Sequence, residues 1–208
     1  MPEVGGSLVA AGAASGLGGG VGAAGVLRVA DVVAVGDVGS LAVTPTADAV
    51  VAKVSGQVCA IRVADCMPVL FAARDGSVVG AAHAGWRGLA GGVLEATVKK
   101  LGVSASQVIA WMGPAIGQDH FEVGEEVRSA FMATDAGSAS AFTANARGRW
   151  QCDLYALARA RLRALGVASV AGGGWCTFAE ADRFFSFRRD AGQSGRMAAL
   201  IWIDPECR

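Results

Sequence analysis

The chain has 208 residues, with 18 Lys+Arg balanced by 18 Asp+Glu and 53% hydrophobic residues. That length suffices for one substantial core, and zero net charge argues against the broad basic surface that nucleic acid or an anionic membrane requires. The hydropathy comes from Ala, Val and 30 Gly spread along the chain, with no Leu/Ile/Phe-rich span of transmembrane length.

The five cysteines, at 59, 66, 152, 176 and 207, are odd in number and form no CxxC pair, which predicts reduced thiols in a cytoplasmic protein. The opening Met1-Pro2-Glu3-Val4 carries an acid and no cationic region, which argues against a secretory signal. Residues 5–25 are almost entirely Gly, Ala, Ser and Val, so they offer little to bury and predict a flexible N-terminal segment (1–25). Gly18-Gly19-Gly20 lacks the Gly-Lys-Ser/Thr that follows in a phosphate-binding loop. The folded domain is expected over 26–208.

Within it, β-branched residues predict strands over 26–35 and 49–54. Residues 57–73 read as one long extended segment in which Pro68 marks an edge or a bulge. Arg74-Asp75-Gly76-Ser77 is a hairpin turn of the Asp-Gly kind, and 77–82 is its returning strand. With Asp75 and Gly76 as the loop, Cys66 lies opposite Gly85 and His83 opposite Pro68. Cys66 and His83 then share a face as diagonal neighbours, with Cβ atoms about 6–8 Å apart.

A helix over 88–101 would bury Val93, Leu94, Thr97 and Leu101, pair Glu95 with Lys99, and end on Gly102. Residues 108–112 form a short strand and 124–132 a helix. Asp153 caps a further helix that turns Leu154, Leu157, Leu162 and Leu165 inward and closes on Gly166. Residues 167–170 and 197–203 read as two more buried strands. Strands and helices without strict alternation predict an α+β fold, a single layered domain of mixed β-sheets flanked by helices.

Two constellations carry chemistry. The chain has only two histidines. One, His83, ends an apolar run directly before Gly85, with Cys66 at the matching place one strand earlier. A thiolate and an imidazole so placed hold zinc or copper, or work as nucleophile and base. Either residue alone is ordinarily structural, since free cysteine behaves as a small buried hydrophobe. Their joint placement, beside Asp65 and Trp86-Arg87, is what favours a site.

The second constellation is Cys176-Thr177, Arg183 to Asp190, and Gly195-Arg196. Arg188, Arg189 and Arg196 bracket a short glycine-containing turn. They either supply planar donors to a phosphate or carboxylate, or sit in a solvated turn. Phe184-Phe185 is either core packing or a wall for a flat base. His120, in a polar turn before Phe121, has no evident ligand partner and reads as structural. Gly113-Pro114-Ala115-Ile116-Gly117 shapes a loop that could line a pocket, and Cys59, Cys152 and Cys207 read as incidental.

These blocks resemble the YfiH/laccase-domain family, also called multicopper polyphenol oxidase-like proteins and purine nucleoside phosphorylases. The matching residues are Ala64-Asp65-Cys66-Met67-Pro68-Val69-Leu70, His83-Ala84-Gly85-Trp86-Arg87-Gly88, Gly113-Pro114-Ala115-Ile116-Gly117 and Phe121-Glu122-Val123-Gly124. Cys176-Thr177, Phe184-Phe185-Ser186-Phe187-Arg188-Arg189-Asp190 and Gly195-Arg196 complete them, in the family's order.

The resemblance implies a zinc-dependent enzyme that cleaves adenosine, inosine, guanosine or methylthioadenosine with phosphate, and that can also deaminate adenosine. It implies a metal held by one cysteine and two histidines, of which Cys66 and His83 match two. Cys66 and His83 are therefore the expected metal and catalytic residues. Arg87, Arg188, Arg189 and Arg196 are the expected substrate-binding residues. The family's first metal histidine belongs to a Gln-Val-His-Gly block before a strand, and here Gly22 stands at that place.

The expected partners are a purine nucleoside and phosphate, with neither nucleic acid nor membrane, and the chain is expected to be a monomer. A copper phenol oxidase (laccase) is the weaker reading, because one Cys and one or two His make a poor multicopper centre. Two more remain open. One is a Cys66–His83 hydrolase acting on an amide or cell-wall precursor, given the family's link to peptidoglycan editing. The other is a pseudoenzyme that kept the fold without the third ligand.

Overall fold

The computed structural model describes residues 31–33 and 47–204. The Gly/Ala tract, Gly22 and Cys207 lie outside them. The centre of the fold is the predicted hairpin, β4 (Met67–Ala73) and β5 (Val79–Ala84), antiparallel with Pro68 opposite His83 and Met67 opposite Ala84. The turn is one residue longer at each side than a two-residue loop, but the register is the predicted one. Asp75 Oδ1 accepts from Ser77 N (3.0 Å) and Ser77 Oγ (2.7 Å), and Gly76 takes φ +72°.

On its outer edges the hairpin is extended into a six-stranded sheet. β5 pairs antiparallel with β2 (Ala49–Ala52), and β2 with β1 (Asp31–Val33). β4 pairs antiparallel with β6 (Val108–Met112), which runs parallel to β10 (Ser169–Gly172). The order is therefore β1-β2-β5-β4-β6-β10.

β4 reads as an unbroken apolar run because both of its faces are covered. Met67, Val69, Phe71 and Ala73 pack on the helical side, against α2 (Val93–Leu101) and α4 (Leu154–Ala164), through Leu94, Val98, Leu101, Leu157 and Leu162. Leu70 faces the other way, into a second cluster with Cys59, Ile61, Val63, Phe184, Met197 and Ala199. That cluster is roofed by a two-stranded antiparallel sheet of β3 (Val58–Val63) and β11 (Met197–Trp202). A three-stranded sheet of β7 (Glu122–Val123), β8 (Phe142–Ala144) and β9 (Trp150–Cys152), with α3 (Glu125–Met132), completes the mixed α+β architecture. No described helix is long and apolar enough to cross a membrane.

Four local expectations are revised. The extended segment 57–73 is two strands in two different sheets, broken at residues 64–66, where Asp65 adopts the left-handed φ of +79°. Pro68 lies in an interior strand without a bulge. Its missing N–H falls beyond the β4–β6 ladder, which starts at Val69 opposite Met112, and its carbonyl is taken by Gly113 N at 2.8 Å.

The helix expected over 88–101 is interrupted. A short α1 (Trp86–Ala90) ends at Gly91-Gly92, where Gly92 is left-handed (φ +87°), before α2 begins. Two adjacent glycines make continuation costly and the turn cheap. Within α2 the predicted apolar face is buried and Gly102 is the left-handed cap. Glu95, however, turns from Lys99 to Arg161 of α4, with Oε1 2.8 Å from Nη1.

Candidate active site at one end of the sheet

The strand directions gather the chemistry. β5, β6 and β10 run one way and β2 and β4 the other. Asp48 before β2, Cys66 before β4, His83 near the end of β5, and the loops after β6 and β10 thus share one end of the sheet. In open sheets of this kind, ligands bind beyond the carboxyl ends of parallel strands.

Cys66 and His83 meet over Gly85. A Cβ on Gly85 would lie 2.8 Å from Cys66 Sγ and 3.6 Å from His83 Cε1, so only glycine leaves the gap between thiol and imidazole open. His83 is fixed twice by Asp48. Its backbone N–H donates to Asp48 O at 2.7 Å, and its ring Nδ1 lies 3.2 Å from Asp48 Oδ1. A carboxylate at Nδ1 leaves Nε2 as the ring's free lone pair, the arrangement found behind metal-bound histidines.

Burial pushes the Cys66 thiol up from its ordinary range, and the carboxylates of Asp65 and then Asp48 push it further, against Arg196. An added cation would reverse that balance, because thiolate is the metal-binding form. The donor types and the Gly85 gap therefore fit a zinc ion at two of its positions. Among the described residues no cluster of three or more His, Cys, Asp or Glu is arranged to hold a metal. The family position at Gly22 lies outside the described residues.

Asp65, beside the cysteine, is the tie that sequence reasoning left without a role. Its side chain is buried, and it accepts from Thr177 Oγ1 and from the Arg188 backbone N–H, both at 2.6 Å. Its carbonyl accepts from Ile116 N (2.9 Å), and Thr177 N donates to Ala115 O (3.0 Å). The segments around residues 65, 116 and 177 are thereby laced together. Tyr155 OH pins the same loop, accepting from Ala115 N (2.7 Å) and donating to Gly113 O (3.1 Å). The left-handed Asp65 is the strained residue expected at a site whose surroundings hold it in place.

The four expected arginines divide. All five N–H groups of Arg189 are spent within the protein, on the carbonyls of Thr177, Phe178 and Phe184 and on both Asp190 carboxylate oxygens. Its guanidinium is the strut of the 177–190 loop. Arg188 reaches the Glu122 carbonyl at 3.0 Å and lies over Phe121. Arg87 stacks on Trp86, its Cζ 4.4 Å from the ring centre.

Arg196 stacks on Phe187 (5.4 Å) and acts on Cys66 by charge. Of the two readings of Phe184, the structure shows core packing, whereas Phe187 is 51% exposed. A run of aromatics shows no period that would tell which ring faces out.

His120 is not isolated. Its Nδ1 lies 3.5 Å from Cys176 Sγ, and its ring stacks on Phe178 at 4.5 Å. The 56 residues separating the pair hid it from sequence reasoning.

Comparison with known proteins identifies the family. A family model described as multi-copper polyphenol oxidoreductase laccase matches residues 24–204. Purine nucleoside phosphorylase of Pseudomonas aeruginosa is 54% identical over 158 residues, covering 76% of this chain and 65% of that protein. Purine nucleoside phosphorylase YfiH of Escherichia coli is 51% identical over 157 residues, covering 76% and 64%. The chain thus spans just under two-thirds of the length of these curated relatives. Among solved structures, a Neisseria meningitidis protein superposes with a TM-score of 0.76 at 51% identity, over 79% of this chain and 67% of that one. YlmD from Geobacillus stearothermophilus gives 0.70 at 33% identity, over 76% and 61%. The sheet end, its loops and these relatives together place the chain in the YfiH family of laccase-like domains.

Proposed function

We propose that the protein cleaves purine nucleosides with phosphate, giving the free base and ribose 1-phosphate. The observation that carries this reading is one end of a sheet where Cys66 and His83 meet over Gly85. It lies in a chain about half identical to proteins named purine nucleoside phosphorylase. Adenosine, inosine, guanosine and methylthioadenosine are the proposed substrates, with deamination of adenosine as a second reaction.

The chain's own residues divide the work. Arg196, Arg188 and Arg87 present guanidinium groups to the phosphate, whose oxygen attacks the anomeric carbon as the bond to the purine nitrogen breaks. The exposed face of Phe187 offers a stacking surface to the base. Asp48 fixes the ring orientation of His83, and Asp65 holds the Cys66 loop against the backbone of Arg188. Arg189 keeps the arginine loop in shape and leaves no donor for substrate. Cys66 and His83 would hold a zinc ion, which would supply a Lewis acid.

The hydrolase reading draws less support. A catalytic thiol needs a lowered pKa or an adjacent free base. Here burial and the neighbouring carboxylates raise the Cys66 thiol, although His83, oriented by Asp48 through Nδ1, keeps Nε2 free. A copper oxidase would need more imidazoles than these loops supply.

The test is a panel of the four nucleosides with zinc-loaded protein, with and without phosphate, scored for free base by chromatography. Base release that requires phosphate supports the proposal. Release that is the same without phosphate shows a hydrolase, and no release at all overturns it.

A further inference from the structure

The cysteines are not chemically equivalent. Burial pushes Cys59 and Cys152 up to about 12, and both are inert core thiols. Cys66 is raised by burial and two carboxylates. Cys176 is set apart by its neighbours. It follows the glycine turn 172–174, is half-buried, and rests in a cradle formed by the backbone at Gly117. A Cβ at Gly117 would come within 3.1 Å of both the Cys176 Cβ and Sγ. Gly117 N–H donates to the sulfur at 3.2 Å and Ala179 N–H at 3.4 Å. The third polar neighbour of the sulfur is His120 Nδ1, at 3.5 Å. The His120 ring is held against Phe178 at an interplanar angle of 20°.

We propose that Cys176 and His120 form a second reactive centre, a site of oxidation by small hydroperoxides. A nucleophile with a base in reach and a third group orienting that base is the arrangement of an activated thiol.

In the reaction, His120 Nδ1 takes the Cys176 proton and the sulfur attacks the terminal peroxide oxygen. The S–O bond forms as the O–O bond breaks. The proton on His120 passes to the departing oxygen, giving water or an alcohol. Sulfur loses two electrons and becomes sulfenic acid, and the peroxide is reduced. The adjoining Thr177 donates to Asp65, so the modified residue sits one step from the tie that holds the Cys66 loop. The oxidation itself does not depend on the proposed nucleoside chemistry.

The test treats the folded protein with hydrogen peroxide and traps sulfenic acid with dimedone. Each cysteine peptide is quantified by mass spectrometry against its rate in urea-unfolded protein. Cys176 is expected to be trapped about tenfold or more faster than Cys59, Cys66 and Cys152, and His120→Phe to slow it by about tenfold or more. His120→Phe keeps an aromatic ring against Phe178 while removing the base, and its melting curve reports on the fold. Trapping of Cys66 as fast as Cys176 in the unaltered protein overturns the proposal whatever the variant does. So does a folded His120→Phe variant that reacts at the original rate.

Discussion

Asp65 gives the sharpest test of how the site is held. Replacing it with alanine strips Thr177 Oγ1 and the Arg188 N–H of an acceptor at 2.6 Å, in a place where the carboxylate is buried. Hydrogen bonds to a charged acceptor contribute about 1.5–3 kcal/mol each, so the loss is about 3–6 kcal/mol. For a chain of this size, each kcal/mol moves the melting temperature by about 2–4 °C, which predicts a fall of about 6–24 °C.

Glycine at 65 loses the same two bonds but adopts φ +79° without strain, so Asp65→Gly should be about 1 kcal/mol less destabilised than Asp65→Ala. Thr177→Val tests the pair. Its effect and that of Asp65→Ala should combine with about 1.5–3 kcal/mol of coupling in a double-mutant cycle followed by urea denaturation. Melting of Asp65→Ala within 2 °C of the unaltered protein (about the shift of 1 kcal/mol or less) would refute this account of the loop.

The other predictions follow from single contacts. Gly85→Ala places a Cβ 2.8 Å from Cys66 Sγ and should weaken zinc binding by about tenfold or more, measured by chelator competition, with the melting curve little changed. Arg189→Lys exchanges a five-donor fork for one ammonium and should cost about 1–3 kcal/mol, seen as a lower melting temperature and faster proteolysis within 177–190. Because the Cys66 thiol is raised, zinc must displace its proton. Affinity should therefore climb with pH, by about tenfold per unit below the thiol's pKa, in a competition titration. An affinity that is flat with pH would show that Cys66 is not a ligand.

Much of the fold was legible because it is local. The Asp-Gly turn sets the β4–β5 register, which places His83 opposite Pro68, two residues from Cys66. The α2 face and its Gly102 cap follow from helical spacing. What could not be read is held by distant partners. The break at Asp65 looks like continuous strand in a propensity reading. Its left-handed turn exists because Thr177 and Arg188, 112 and 123 residues away, supply the donors.

Glu95 and Arg161, 66 residues apart, and His120 and Cys176, 56 apart, are likewise hidden by their separation. Lys99 was nearer to Glu95 in sequence, but the α2–α4 packing brings a guanidinium to it. Arg189 carried the same chemical signal as its neighbours Arg188 and Arg196. Only the fold shows that its donors are all taken.

The central claim, that phosphorolysis occurs where Cys66 and His83 meet, rests most directly on one measurement. Ribose 1-phosphate formed from inosine and phosphate is compared between the unaltered protein and a Cys66→Ala variant with the same melting behaviour. The account predicts steady formation by the unaltered protein and a loss of about a hundredfold or more in the variant. Equal rates in the two proteins would place the chemistry elsewhere and contradict it.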